Sequence, residues 1–378
     1  MPYHSRMSHV YIHVPFCARR CVYCDFAIAV RRHVPVDDFL EGVAGEVALR
    51  EAIPGALETL YIGGGTPSRL GSDGVARLLD LVRSRTTLVG DAEVTLEANP
   101  EDVTADALRA WVRAGINRLS LGVQSFDDRV LAWMHRSHRS ADVHRAVADA
   151  RAAGITALSL DLIFAMPDQV PRDWARDLDT MVSLAPPHVS VYGLTVEPQT
   201  PLGRWSARGV VTEAPEERWA AEFTLAHDRL VAAGYRHYEV SNYAQPSQEA
   251  RHNSAYWADR AYVGIGPAAH GFDGTTRRAN IAAYAGWLTA VRAGRDPIGT
   301  AERLSEASRV AERVYLGLRT QEGLVVSEAE WGLVRPWVDA GWATVGAWHD
   351  SSTRVVLTPE GWMRLDALAA SLTSVRSC

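Results

Sequence analysis

The chain has 378 residues, 47% of them hydrophobic, and a formal charge of -6 from 39 basic and 45 acidic side chains. That supplies ample apolar material for a core, and the absence of a basic excess means no nucleic-acid partner is expected. Every basic residue is arginine, no run approaches the about 20 apolar residues of a membrane span, and Met1–Met7 lacks a signal-peptide core, so a cytoplasmic protein is expected. The length suits one large domain plus one or two smaller ones. Four cysteines are present, and three of them, Cys17, Cys21 and Cys24, lie within eight residues. That crowding is no disulfide framework; it fits a reducing compartment with thiols free to bind metal.

A strand is expected at Val10–Val14, ended by Pro15, which has no N–H to donate. After the cysteine loop a helix begins near Asp37 or Asp38, either a plausible N-cap. A strand at Thr59–Ile62 runs into Gly63-Gly64-Gly65-Thr66-Pro67, and a helix follows from Ser72 to Arg85. Glu93–Glu97 is a third strand, and Thr104 caps a helix that stops at Gly115. Arg118–Leu121 leads to Gly122-Val-Gln124-Ser125, then a helix from Ser140 or Ala141 stops at Gly154. Ala157–Ile163, a helix at Trp174–Leu184 and a sixth strand at His188–Leu194 complete the series.

Apolar strands alternating with helices predict an α/β fold with a parallel sheet, its chemistry at the carboxyl ends of the strands. Six units are too few for a full eightfold barrel, so an open, partial (β/α)6 barrel over residues 1–200 is expected. Residues 201–300 read as an accessory β/helical region. They hold a long helix from Glu216 to Ala233 and the blocks Glu239–Tyr243, His252–Trp257 and Gly264–His270. Residues 301–378 read as a winged-helix-like domain: helices at Ala307–Leu318 and Ser327–Ala340, a hairpin over Ala343–Leu357, and a last helix from Pro359. The tryptophans there (Trp331, Trp337, Trp342, Trp348, Trp362) are expected in its core.

Three thiolates from one loop suit three irons of a [4Fe–4S] cube and leave the fourth iron open. The alternative, a zinc site completed by His13 or His33, needs a fixed fourth ligand. Phe16, Tyr23 and Phe26 would limit solvent access to a cluster. The glycine run lets backbone approach a ligand closely, or is only a tight turn. Glu97 and Asp161 end strands and face the same rim, unless they serve as caps or pair with Arg136.

Tyr11-Ile-His-Val-Pro-Phe-Cys17-x3-Cys21-x2-Cys24 resembles the signature of the radical S-adenosylmethionine (SAM) superfamily, in the form used by the oxygen-independent coproporphyrinogen oxidase family. In that superfamily the amino and carboxylate groups of SAM chelate the open iron, and an electron from the cluster cleaves the sulfonium to a 5′-deoxyadenosyl radical. The resemblance implies SAM contacts at Tyr11, Gly64, Gly65, Thr66, Glu97, Gln124, Arg136 and Asp161, with Tyr23 near the adenine. In the oxidase proper a further Cys follows the third cluster Cys by two residues; this chain has Phe26. Glu239-Val-Ser-Asn-Tyr243, His252-Asn253-x-x-Tyr256-Trp257 and Gly264-Ile-Gly266-x-x-x-His270 resemble instead the HemW-type branch, regarded as heme chaperones. Phe164-Ala165-Met166-Pro167 departs from a more usual Tyr-Gly-Leu-Pro, and Ala165 forgoes the backbone freedom of glycine.

The branch resemblance implies that the chain binds heme, with His252 as its contact, and passes it to acceptor hemoproteins, respiratory ones at the membrane being candidates. Imidazole suits a tetrapyrrole iron, and Tyr256 and Trp257 offer flat apolar surface. His13 reads as a satisfied core histidine, and His135 and His138 as supports for Arg136. The competing reading is oxidative decarboxylation of coproporphyrinogen III to protoporphyrinogen IX. Monomer and cluster-dependent homodimer both remain open.

Overall fold

A computed structural model describes residues 7–50, 55–347 and 353–376. The start of the chain before Met7, Trp348 and Cys378 lie outside the described residues. Six β/α units come first: β1 (His9–Val14), α1 (Val36–Leu49), β2 (Ala56–Gly64), α2 (Gly71–Arg83), β3 (Thr87–Ala98), α3 (Ala105–Ala114), β4 (Arg118–Gln124), α4 (Ser140–Ala152), β5 (Ala157–Phe164), α5 (Trp174–Leu184), β6 (His188–Gly193) and α6 (Glu216–Ala232). The strands β1 to β6 pair in sequence order, each parallel to the next. Three more strands extend the same sheet: β7 (Arg236–Glu239), β8 (Asn242–Ala244) and, after α7 (Arg251–Trp257), β9 (Val263–Ile265). The order is β9-β1-β2-β3-β4-β5-β6-β8-β7, so β9 and β7 are edges and the barrel is open. The expected accessory strands are thus continuations of the main sheet: β9 runs parallel to β1, and β8 antiparallel to β6.

Strand alternation explains both faces. Val10, Ile12, Leu60, Ile62, Val94, Leu96, Leu119, Leu121, Leu158 and Leu160 are buried under the helices, in one core with Phe39, Val43, Leu78, Leu108, Trp111 and Leu178. Each such side chain contributes about 1.5–3 kcal/mol on leaving water. The opposite face is polar. In register across the sheet lie His9, Thr59 and Glu93, then Tyr11, Tyr61 and Thr95, then Glu97 and Ser120. Most of these groups are hydrogen-bonded, as buried polar groups generally are, though the buried Thr95 hydroxyl has no partner, and the site is built from this lining.

Caps mark several boundaries. Thr104 accepts a bond from the Ala107 N–H at the start of α3, and Gly115, at φ 101°, closes that helix in the left-handed region. The expected Asp37 or Asp38 cap of α1 is corrected: Pro35 is the N-cap and makes no side-chain bond. Both aspartates fall in the first turn, where a negative charge favours the helix dipole. There they pair with Arg77 at 2.7 Å and Arg292 at 2.6 Å. After β9, strands His270–Phe272, Thr276–Asn280 and Ile298–Arg303 form a small antiparallel sheet. The last part of the chain sets helix Glu306–Leu318 against helix Leu365–Arg376 and a three-stranded sheet of Leu324–Val325, Thr353–Leu357 and Ala343–Ala347. Trp337 and Trp362 are buried there, whereas Trp331 is exposed. Among the described residues no helix is long and apolar enough to cross a membrane.

Candidate functional site

The three thiols sit on a loop that closes on itself just beyond β1. Phe16–Cys17 pairs in parallel with Ala29–Val30, with Ala29 N donating to Pro15 O at 2.7 Å and Arg31 N to Cys17 O at 2.9 Å. Tyr23 packs on a small apolar cluster of Val130, Met134, Ile163, Met166 and Val170. The thiols are held at separate places: Cys17 Sγ accepts from Thr66 Oγ1 at 3.4 Å, and Arg136 Nη1 lies 3.7 Å from Cys21 Sγ. Burial pushes the Cys24 thiol up to about 11 and raises that of Cys17, so both are protonated until a cation compensates the thiolate. Among the described residues no three His, Cys, Asp or Glu groups converge to hold a single ion. A cubane is held instead by one thiol at each of three irons, and Cys17, Cys21 and Cys24 supply three free thiols from one loop.

The glycine run completes one wall. A Cβ on Gly65 would stand 2.8 Å from the Pro15 carbonyl and 3.0 Å from Cys17 Sγ; one on Gly64, at φ 116°, would strike the His13 ring at 2.7 Å. Only glycine lets this backbone lie so near the thiols. A cavity of about 440 Å³ opens beside it. Cys17, Cys21, Tyr23 and Cys24 line one side, and Gly64, Gly65 and Thr66 another. Glu97, Gln124, Arg136 and Asp161 line the rest.

The cavity is electrostatically unbalanced. Glu97 accepts from Tyr61 O–H at 2.7 Å and from Gly64 N–H at 3.0 Å, yet burial lifts its carboxyl to about 7. Asp161 accepts from Ser120 and Ser159 at 3.2 and 3.3 Å; burial lifts it to about 6, against the pull of these hydroxyls and that of Ser190. Arg136 donates to Asn99 Oδ1 at 2.6 Å and Gly122 O at 2.7 Å, while its Nε has no partner. Gln124 takes φ 69° at the end of β4, a left-handed conformation unusual for its type. Two carboxylates awaiting a cation and one guanidinium with a spare donor fit a zwitterion such as SAM, and three unpaired thiols fit the cluster that binds it.

The model of the radical SAM superfamily matches residues 11–181. Over 94% of its length the chain is 34% identical to a heme chaperone HemW of Bacillus subtilis, of which 96% is covered. It is also 41% identical to the Escherichia coli protein of that name, over 69% of each chain. The chain belongs to the HemW-type family of the radical SAM superfamily. Its fold is that of coproporphyrinogen III oxidase HemN from E. coli, with a TM-score of 0.81 over 97% of this chain and 90% of that one, at 22% identity.

Not every residue implied by the family resemblance reaches the cavity of this HemW-type chain. Tyr11 lies deeper in the barrel, its hydroxyl donating to His13 Nδ1 at 3.0 Å. His13 is a satisfied core histidine: its Nε2 meets Ala27 O at 3.1 Å, and burial lowers it to about 4. His138 supports the Arg136 segment through Val123 O at 3.0 Å, while His135 stands exposed at the cavity mouth with φ 60°. Phe26 is 59% exposed on the same mouth, whereas Phe16 is buried in the core against Phe39 and Tyr284. Ala165 keeps φ 60°, the conformation glycine favours, and its methyl is buried.

His252 is far from the thiols, on α7, and only 1% exposed. Its Nδ1 bonds Thr59 Oγ1 at 2.6 Å and its Nε2 bonds Tyr256 O–H at 2.7 Å, so in this conformation neither nitrogen is open to an iron. The sequence reading missed Asn99, Tyr61, Ser120, Ser159 and Tyr192, which hold or border the site. The two-residue spacing Ser120, Gly122, Gln124 and Ser159, Asp161 is the signal that identifies the lining.

Proposed function

We propose that this chain is a heme chaperone on a radical SAM scaffold. Cys17, Cys21 and Cys24 carry a [4Fe–4S] cluster, the rim takes SAM, and the protein binds heme and delivers it to acceptor hemoproteins. The observation that carries the cofactor reading is the single cavity joining three thiols to the Gly64–Thr66 backbone, Glu97, Arg136 and Asp161. Arg136 suits the SAM carboxylate, and Glu97 and Asp161 suit its ammonium group or ribose hydroxyls. The heme reading is supported by near full-length kinship to proteins named heme chaperones and by Phe26, where the oxidase has a further Cys. The domain division at about residues 200 and 300, and a cytoplasmic setting that keeps the thiols reduced, belong to this proposal.

The second reading, oxidative decarboxylation of coproporphyrinogen III, is favoured by the TM-score of 0.81 to HemN. Anaerobically reconstituted protein is incubated with SAM, reductant and coproporphyrinogen III, and separately with hemin. The chaperone reading expects stable hemin retention, transfer to an apo-hemoprotein and no protoporphyrinogen. Formation of protoporphyrinogen at catalytic turnover sinks it.

A further inference from the structure

The blocks Glu239–Tyr243, His252–Trp257 and Gly264–His270 all serve the architecture of the barrel. Glu239 is fully buried where β7 turns into β8, bonded to Asn242 and 3.3 Å from Arg319 Nε. The Arg319 guanidinium also covers the Trp257 ring at 4.4 Å. Gly264 and Gly266 let β9 approach other backbone: a Cβ on either would meet the His270 or His13 carbonyl at 1.8 or 2.5 Å. Between these edges α7 closes the floor of the barrel, with Arg251 N and His252 N donating to the two oxygens of Glu93 at 3.0 and 2.9 Å.

The His252 ring is the centre of that floor. One arrangement of protons satisfies each atom in the chain: Tyr256 O–H donates to His252 Nε2, His252 Nδ1–H to Thr59 Oγ1, and Thr59 O–H to His9 Nδ1 at 2.9 Å. Tyr61 stacks on the imidazole with centroids 5.2 Å apart, and Tyr256 meets it edge-on at 4.9 Å. Burial lowers the ring to about 3, so it is neutral. Above it, Tyr61 O–H donates to Glu97, and the other oxygen of Glu97 accepts from Gly64 N–H at the cavity wall. A continuous path therefore runs from the floor to the glycine loop.

We propose that His252 is a positioning residue, which fixes Tyr61 and through Tyr61 and Glu97 the Gly64 backbone of the cavity, and that it is not an iron ligand for heme. The link to the cavity rests on the SAM reading above; the exclusion of iron ligation does not. An imidazole whose two nitrogens are both committed inside a packed floor offers iron no lone pair, and opening it would leave Thr59, Tyr256 and Glu93 short of partners.

Full-length, cluster-reconstituted wild type, His252→Ala, Tyr61→Phe and Tyr256→Phe are compared by hemin titration of the Soret band, SAM calorimetry and melting temperature. His252→Ala and Tyr61→Phe are expected to weaken SAM binding by about three- to thirtyfold, the loss of one or two buried hydrogen bonds. Both melt lower, and both keep the wild-type Soret position and hemin affinity. Loss or displacement of the Soret band in His252→Ala, with SAM affinity unchanged, overturns the proposal. If His252→Ala does not fold, Tyr256→Phe decides, because it frees Nε2: tighter hemin binding speaks for ligation and overturns the proposal, while unchanged hemin binding with a lower melting temperature upholds it. A wild type that takes up no SAM overturns the reading of the cavity and the link to Gly64, and leaves the hemin arm to decide the iron-ligand question by itself.

Discussion

Replacing Glu97 with Gln should change stability in a pH-dependent way whose sign follows from the site. Burial lifts the folded carboxyl from 4.5 to about 7, despite bonds from Tyr61 and Gly64. For an acid with a raised folded value, the unfolded state releases its proton first as pH rises. Below about pH 4 both states are protonated and nothing is lost; above about pH 7 both are ionised and the folded state carries the full penalty, on the order of 3 kcal/mol. Between pH 5 and pH 8 most of that penalty, about 2–3 kcal/mol, develops in the wild type and none in Glu97→Gln. The amide also replaces one acceptor oxygen with a donor and so loses about 1–2 kcal/mol from Tyr61 or Gly64 at every pH. Urea unfolding of both proteins at the two pH values should therefore show Glu97→Gln less stable than or equal to wild type at pH 5, and gaining about 2–3 kcal/mol on it by pH 8. A difference independent of pH, or one that moves the other way, refutes the account of Glu97 as a carboxyl starved of a cation.

Further outcomes follow from other contacts. Gly65→Ala should leave the sheet intact but push the Pro15–Cys17 turn out of place, because the new methyl meets backbone at 2.8 Å; iron and sulfide content after reconstitution should fall, with about 1–3 kcal/mol lost in urea unfolding. Glu46 is fully buried and accepts from Gly266 N, Asn280 Nδ2, Trp287 Nε1 and Arg50; Glu46→Ala strands these donors and should cost about 3–5 kcal/mol in the same assay. With the Cys24 thiol pushed up to about 11 by burial, iron must displace its proton. Cluster loading should therefore strengthen as pH rises from 6 to 8, read as iron content against pH, and Cys24→Ala should abolish it.

The rim was legible because its signals are local. Three thiols at fixed spacing, a glycine run closing β2 and carboxylates in the last half of β3 and β5 need only the rule that parallel strands present their chemistry at one end. Thr104 was legible for the same reason: a cap is a bond across three residues. The floor was not. His252 reaches Thr59 across 193 positions, and its helix is capped by Glu93 across 159. An arginine-flanked His in a polar stretch looks solvated until the sheet order is known. Likewise β9 beside β1 follows from strand order, which no local pattern encodes. Asp37 was misjudged because a cap preference is weaker than the path of the chain through Pro35.

One consequence joins rim and floor. A residue block shared by a family shows that something is kept, and a buried block is kept for packing as readily as for chemistry. In this chain the His252–Trp257 block closes a barrel whose lining is polar from His9 to Glu97, and each buried polar group stripped of its partner costs about 1–3 kcal/mol. Losing the His252 imidazole would leave the Thr59 and Tyr256 hydroxyls short of a partner and Tyr61 without its stacked neighbour, and Tyr61 is what holds Glu97 under the glycine loop. A His252 variant that binds heme poorly would therefore report on the iron only if its cavity were shown intact. That is why the position of the Soret band, which follows the ligand on the iron, carries more weight than the amount of heme retained, which follows the fold as well.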